Sequence, residues 1–154
     1  MPMKTVIQRV RSASVTADGV LTGKIGCGYM LLSAFRDDDD ENTVKQMAGK
    51  IVRLRVFEDA GGKMNLSLEQ VGGQILSISQ FTLYADCRKG NRPSFDRAGR
   101  PDHAARMYDL LNEELRQLGV HVETGVFGAD MKVELVNDGP VTIIFDSDEM
   151  IRKR

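Results

Sequence analysis

Three short stretches gather residue types able to handle an ester or a phosphate. The first is the segment SQFTLYAD, where Ser79, Gln80, Thr82 and Asp86 cluster as an apolar run ends and a loop begins. Hydroxyls and amides at a strand end can position a substrate or a water, and they also bond to nearby backbone in ordinary strand ends. The second is NDGPVT, Asn137 to Thr142, set between MKVELV and IIFD. Both flanks read as strand. Proline gives no N–H to a ladder and glycine weakens one, so local pattern favours a turn. The third is the loop CRKGNRPSFDRAGRPD, with Arg88, Lys89, Arg92, Arg97 and Arg100 inside thirteen residues. It reads as a solvated loop or as a phosphate-binding one, since arginine forks match phosphate oxygens.

Other catalytic patterns are missing. There is no Walker-type phosphate loop, no dinucleotide fingerprint and no Gly-x-Ser-x-Gly elbow. The two histidines, His103 and His121, lack metal-ligand spacing with a cysteine. His103 falls in the first turn of an amphipathic segment and is expected to face solvent. His121 alternates with valines, which puts it on the polar face of a strand. Cys27, between two glycines, and Cys87, at the start of the basic loop, read as incidental.

The elements that must position these stretches follow from periodicity. KTVIQRV and ASVTADGVLTGKIG alternate apolar and polar residues, and Asp18-Gly19 between them predicts a two-residue hairpin. YMLLSAF predicts a buried strand. The run Asp37 to Glu41 is a cation site or the start of a helix. Calcium loops want a glycine and spaced ligands, and the run has neither, so carboxylates at a positive helix end are favoured. The helix that follows carries Val44, Met47, Ala48, Ile51 and Leu54 on one face. LRVF with EDAGGKMNLSL predicts a second hairpin, turning at Gly61-Gly62. Ile75 to Ser79 predicts a strand. Asp102 is expected to cap a second helix with the stripe Ala104, Met107, Leu111, Leu115 and Leu118, ended by Gly119. VHVETGVFGADMKVELV returns to strands. The result is an α+β fold, a mixed and largely antiparallel sheet with two main α-helices, read as one domain over residues 1–154.

Composition bounds the function. The chain has 154 residues, 42% hydrophobic and 28% charged, with net charge −1. That suits a globular protein with its own core and argues against one coated in nucleic acid, but not against a local basic patch. Apolar runs are too short to span a bilayer, and the N-terminal MPMKTVIQRV lacks a signal-type apolar region. Two cysteines make no disulfide framework, which favours a reducing cytoplasm.

Taken together, SQFTLYAD, RKGNRPSF, FGADMKVELVNDGPVT and the N-terminal VIQRV with ASVT resemble the D-aminoacyl-tRNA deacylase family nearly end to end, and GKMNLSL fits as well. The pair SQFT and NDGPVT is specific, whereas Gln-Phe-Thr alone is weak. The resemblance implies a barrel-like homodimer without a metal or other cofactor. It implies hydrolysis of D-amino acids, and of misplaced glycine, from the 3′ end of tRNA, in the cytoplasm and away from membranes. It implies that the Gly139-Pro140 bond is cis and sits at the other subunit's active site, at the interface. There the two carbonyl oxygens would wall off an L side chain and admit a hydrogen. It implies that Arg9 holds that segment.

For the chemistry, the resemblance points to Ser79, Gln80, Phe81 and Thr82. Backbone N–H groups near Phe81 and Thr82 would stabilise the oxyanion, and Gln80 would orient substrate or backbone. Thr82 is either a nucleophile or a positioner of water, and the second is preferred, with the substrate's own 2′-hydroxyl assisting. Phe127, Ala129 and Met131 would hold the terminal adenine, although Phe127 and Met131 read equally well as core. Arg88, Lys89 and Arg92, together with Arg152, Lys153 and Arg154, would take tRNA phosphates. Two other readings compete: a nucleic-acid-binding module with little catalysis, and a hydrolase of another small ester or amide.

Overall fold

In the computed structural model, which describes residues 3–151, two long strands organise the sheet. β1 (Lys4–Ala17) turns at Asp18-Gly19 into β2 (Val20–Ile25), and both turn residues have positive φ, +48° and +82°. This is the hairpin geometry that Asp-Gly favours. β3 (Gly28–Ala34) pairs antiparallel with the first half of β1, from Lys4 opposite Ala34 to Val10 opposite Gly28. The second half of β1 pairs with β2.

α1 (Glu41–Arg53) starts at Asp40, whose Oδ1 accepts the Thr43 N–H at 2.8 Å. The acidic run is thus divided among separate tasks. Asp40 caps, Asp39 Oδ2 accepts the Arg36 N–H at 2.7 Å, and Asp37 Oδ1 accepts the Arg100 N–H at 2.7 Å. Among the described residues no cluster of three or more His, Cys, Asp or Glu is placed to hold a metal ion. β4 (Phe57–Glu58) and β5 (Met64–Leu66) form the second hairpin, with Gly62 at φ +78°. β6 (Gln74–Ser79) runs parallel to β3.

α2 (Pro101–Gln117) departs from expectation at its start: its N-cap is Arg100, and Asp102 lies inside the first turn. Pro101 decides this, because the first helical position has no use for an N–H and proline has none to lose. Leu118 ends the helix and Gly119 follows at φ +92°. β7 (Val122–Thr124) runs parallel to β6. β8 (Met131–Asp146) lies antiparallel along the whole of β1, and α3 (Ser147–Met150) closes the described chain.

The sheet curls until β2 meets β7, giving a nearly closed, barrel-like α+β fold with three α-helices among the described residues. The approach is close: a Cβ on Gly23 would lie 2.9 Å from the Thr124 carbonyl oxygen. Alternation along the strands separates two cores. Tyr29, Leu31 and Ile75 point to one face, beneath α1 and α2, with Met47, Ile51, Met107 and Leu111. Met30, Leu76 and Ile78 point to the other, with Val10, Ala13 and Val15. No described helix is long and apolar enough to cross a membrane.

The Gly-Pro segment proves to be a bulge within β8 and not a turn between two strands. Gln8 pairs with Thr142 and Val10 with Asn137, so two steps along β1 match five along β8. The surplus residues stand out of the ladder, where a missing proline N–H costs nothing. Asn137 closes the gap with its side chain: Oδ1 accepts the Val141 N–H at 2.7 Å and Nδ2 donates to the Val141 carbonyl at 3.1 Å. The Gly139-Pro140 bond is cis, as the resemblance implies.

Candidate active site

At the end of β6 the chain leaves the sheet beside β3, where Gln80 N–H donates to the Ser33 carbonyl at 2.8 Å. It then enters a single 3-10 turn, Phe81–Tyr84. Tyr84 anchors the turn: its ring is buried and the Lys4 ammonium sits 5.4 Å from its centroid. Burial pushes the Tyr84 phenol well above its usual range. The Gln80 side chain does not cap the turn; its Nε2 donates instead to Thr82 Oγ1. The opening N–H groups of such a turn, those of Phe81 and Thr82, have no acceptor inside it.

Part of this segment borders a cavity of about 550 Å³, within the range of small-molecule sites, whereas Thr82 is exposed and is not part of its wall. Ser79, Gln80 and Phe81 form one side. Phe127 and Ala129, from the connection between β7 and β8, form another with Met131, the first residue of β8. That connection turns at Gly128, φ +78°, with Ala129 N–H donating to Val126 O at 3.2 Å. Phe127 also packs 6.2 Å from the buried Tyr108 ring, so it serves core and cavity together. The wall is mostly apolar, and polar groups gather at Ser79 and Gln80.

A third side went unread in the sequence. Phe95, Ala98 and Gly99 of the basic loop complete the cavity. The signal was present: Phe95 is the one aromatic residue in a loop otherwise rich in charge and turn formers.

The remaining expected residues lie elsewhere. Gly139 and Pro140 are exposed and are not part of this cavity's wall. Arg9 is buried against them: Nε donates to the Asp138 carbonyl at 2.8 Å and Nη1 to the Val56 carbonyl at 2.6 Å. Arg88 is engaged by Asp86 in a two-pronged pair at 2.9 and 2.8 Å, which holds the Asp86 carboxyl far below the usual range. Lys89 and Arg92 are exposed beyond the cavity wall. Arg152, Lys153 and Arg154 lie outside the described residues.

The histidines take no part in this constellation. His103 does not simply face solvent: it is half-buried, and its Nε2 donates to the Asp39 main-chain oxygen at 2.9 Å. His121 is exposed, 2.9 Å from Glu123. Both cysteines are free and exposed. Asp39 is 2% exposed, and burial is the largest effect on its carboxyl, pushing it up to about 6.

The family profile described as D-Tyr-tRNA(Tyr) deacylase matches residues 6–146. A protein of Bacillus cytotoxicus named D-aminoacyl-tRNA deacylase is 57% identical, over 94% of this chain and 99% of its own. One of Thermus aquaticus with the same name is 56% identical, over 96% and 97%. Among solved structures, one titled c-Myc DNA Unwinding Element Binding Protein is 40% identical with a TM-score of 0.86, covering 92% of this chain and 97% of its own. Another, a probable eukaryotic D-amino acid tRNA deacylase, shares the fold at 20% identity and a TM-score of 0.82, covering 95% and 100%. By sequence along nearly its whole length and by the fold that builds this cavity, the chain belongs to the D-aminoacyl-tRNA deacylase family of hydrolases.

Proposed function

We propose that the cavity receives the 3′-terminal adenosine of a D-aminoacyl-tRNA and that water cleaves its ester beside Ser79, Gln80, Phe81 and Thr82. Phe127 and Met131 take the base, with Ala129 leaving it room. The N–H groups of Phe81 and Thr82 stabilise the oxyanion that forms when water attacks the ester carbonyl. Thr82 is a positioning group in this reading and not a nucleophile. The side chain in contact with its hydroxyl is the Gln80 amide, a donor that cannot take up a proton. The substrate's vicinal 2′-hydroxyl supplies the missing assistance.

The observation that carries the rest is the place of the Gly-Pro bulge. It is exposed, it is held from behind by Arg9 and Asn137, and it takes no part in its own chain's cavity. In our reading it serves the cavity of a second copy. β8 suits such a pairing: among the described residues its one strand partner is β1, and it exposes Val136 and Ile144 at 53% and 66%. Across that dimer the backbone oxygens of Gly139 and Pro140 face the substrate's α-carbon. An L side chain meets them, whereas a hydrogen fits. Glycine has only hydrogens there, so mischarged glycine is removed as well. The setting is the cytoplasm, where aminoacyl-tRNA is used. Lys89 and Arg92 meet tRNA phosphates, and Arg88 contributes through a guanidinium already oriented by Asp86.

Two changes test this chemistry in a single-turnover deacylation assay. Thr82→Ala should keep most of the rate on D-Tyr-tRNA, while replacing the terminal 2′-hydroxyl by hydrogen should lower it at least about a hundredfold. The opposite pattern, with Thr82→Ala inactive but still binding tRNA, would assign the nucleophile to Thr82. A second reading is suggested by the 40%-identical structure whose title names a DNA-binding protein. For this chain it would mean a nucleic-acid binder that has no need of the cavity. Tight binding of single-stranded DNA without hydrolysis of any aminoacyl-tRNA would favour it.

A further inference from the structure

Two aromatic rings stand in solvent at the edge of the cavity, and the ester chemistry uses neither. Phe81 is 55% exposed and Phe95 36% exposed. Their centroids are 5.0 Å apart with planes at 69°, an edge-to-face pair. Leaving such apolar area in water is unfavourable, and an exposed aromatic pair beside a cavity commonly marks a contact made on binding.

Phe95 is held in place. The loop that carries it is pinned at both ends. Asp86 and Ser94 exchange two backbone hydrogen bonds at 2.7 and 2.9 Å. Gly99 N–H donates to the Phe35 carbonyl at 2.9 Å, so closely packed that a Cβ on Gly99 would lie 2.8 Å from that same oxygen. Arg100 N–H is bound by Asp37. Between these anchors the loop displays Lys89, Arg92 and Arg97, all exposed. Exposed rings interleaved with cations are the combination that single-stranded nucleic acid meets, bases stacking while cations track phosphates.

We propose that Phe95, backed by Phe81, is a stacking shelf for the base of the nucleotide that precedes the terminal adenosine. This rests on the reading that the terminal adenosine fills the cavity. Phe95 lines the same cavity as Phe127 and Met131, so a strand leaving the cavity over this edge passes the exposed rings. The shelf carries no sequence code, because every base has a stacking face. It lets the protein tell a tRNA end from a lone nucleoside.

The test compares kcat/KM for two D-tyrosyl esters, one of adenosine and one of the dinucleotide cytidylyl-adenosine. The unsubstituted protein should gain about tenfold from the added nucleotide, the order of one base–aromatic stack. Phe95→Ala should abolish that gain and Phe95→Trp should keep it. Because the readout is a ratio within each variant, a general loss of activity does not mimic it. A gain that survives Phe95→Ala overturns the proposal. So does a Phe95→Ala variant that instead alters preference between D-tyrosyl and D-alanyl adenosine, since the ring would then serve the amino-acid side chain. If the unsubstituted protein hydrolyses both esters equally well, the shelf alone fails; if it hydrolyses neither, the deacylase reading fails with it.

Discussion

At Gly139 one hydrogen decides whether the bulge can exist. Its φ is +141°, and a Cβ there would lie 2.8 Å from Val141 Cγ2 and 3.0 Å from Arg9 Nη2. Arg9 is held by two carbonyls, and the Val141 side chain is buried on a backbone fixed by Asn137, so both neighbours resist displacement. Gly139→Ala should therefore cost about 1–3 kcal/mol in chemical denaturation, and unchanged stability would mean the bulge is softer than it looks. Asp39 makes a second prediction. Its pKa is raised from 3.8 to about 6, chiefly by burial. The stability it contributes is therefore present below the unfolded value and lost as pH rises through about 6. Asp39→Asn cannot ionise, so its stability relative to the unsubstituted protein should rise by roughly 1–3 kcal/mol between pH 4.5 and 7.5. A difference that stays flat with pH would refute this. Asp59 and Asp86, whose pKa values are lowered by hydrogen bonds, act below that window and with the opposite sign.

β8 works only as a pair with β1, and Arg9 joins the two. Its guanidinium bonds Asp138 of the bulge and Val56 on the segment leading into β4, so one side chain ties three pieces of chain. Arg9→Ala strands two carbonyls and should lose about 2–4 kcal/mol, from two charge-assisted hydrogen bonds. Arg9→Lys keeps the charge but cannot fork, and should recover only part of it. Full recovery by lysine in urea unfolding would show that charge alone matters. Elements set by local rules were legible in the sequence: the Asp18-Gly19 hairpin, the helix start at the acidic run Asp37 to Glu41 and the Gly119 stop each depend on a few neighbouring residues. The bulge was not, because it is a mismatch of register between β1 and β8, over a hundred residues apart in sequence. Asp102 carries a strong capping signal, but Pro101 next to it fixes the start two residues earlier, with Arg100 at the N-cap. His103 and Phe95 were misread or missed for one reason: their partners, Asp39 and Phe81, come from other parts of the chain.

Across the whole molecule the barrel, the cavity and the bulge form one argument. The sheet brings Ser79, Gln80 and Phe81 to one cavity with Phe127, Ala129 and Met131, and it carries the exposed Gly139-Pro140 bulge outside that cavity's wall. On the proposed reading the segment that rejects L side chains faces outward, which is why a second copy is part of the proposed site. The most direct test of that account is single-turnover deacylation of matched D-Tyr-tRNA and L-Tyr-tRNA by the full chain. The account predicts rapid release of D-tyrosine with the L ester left at its spontaneous rate. Release of both at similar rates would contradict it, because the Gly139-Pro140 oxygens would then reject nothing.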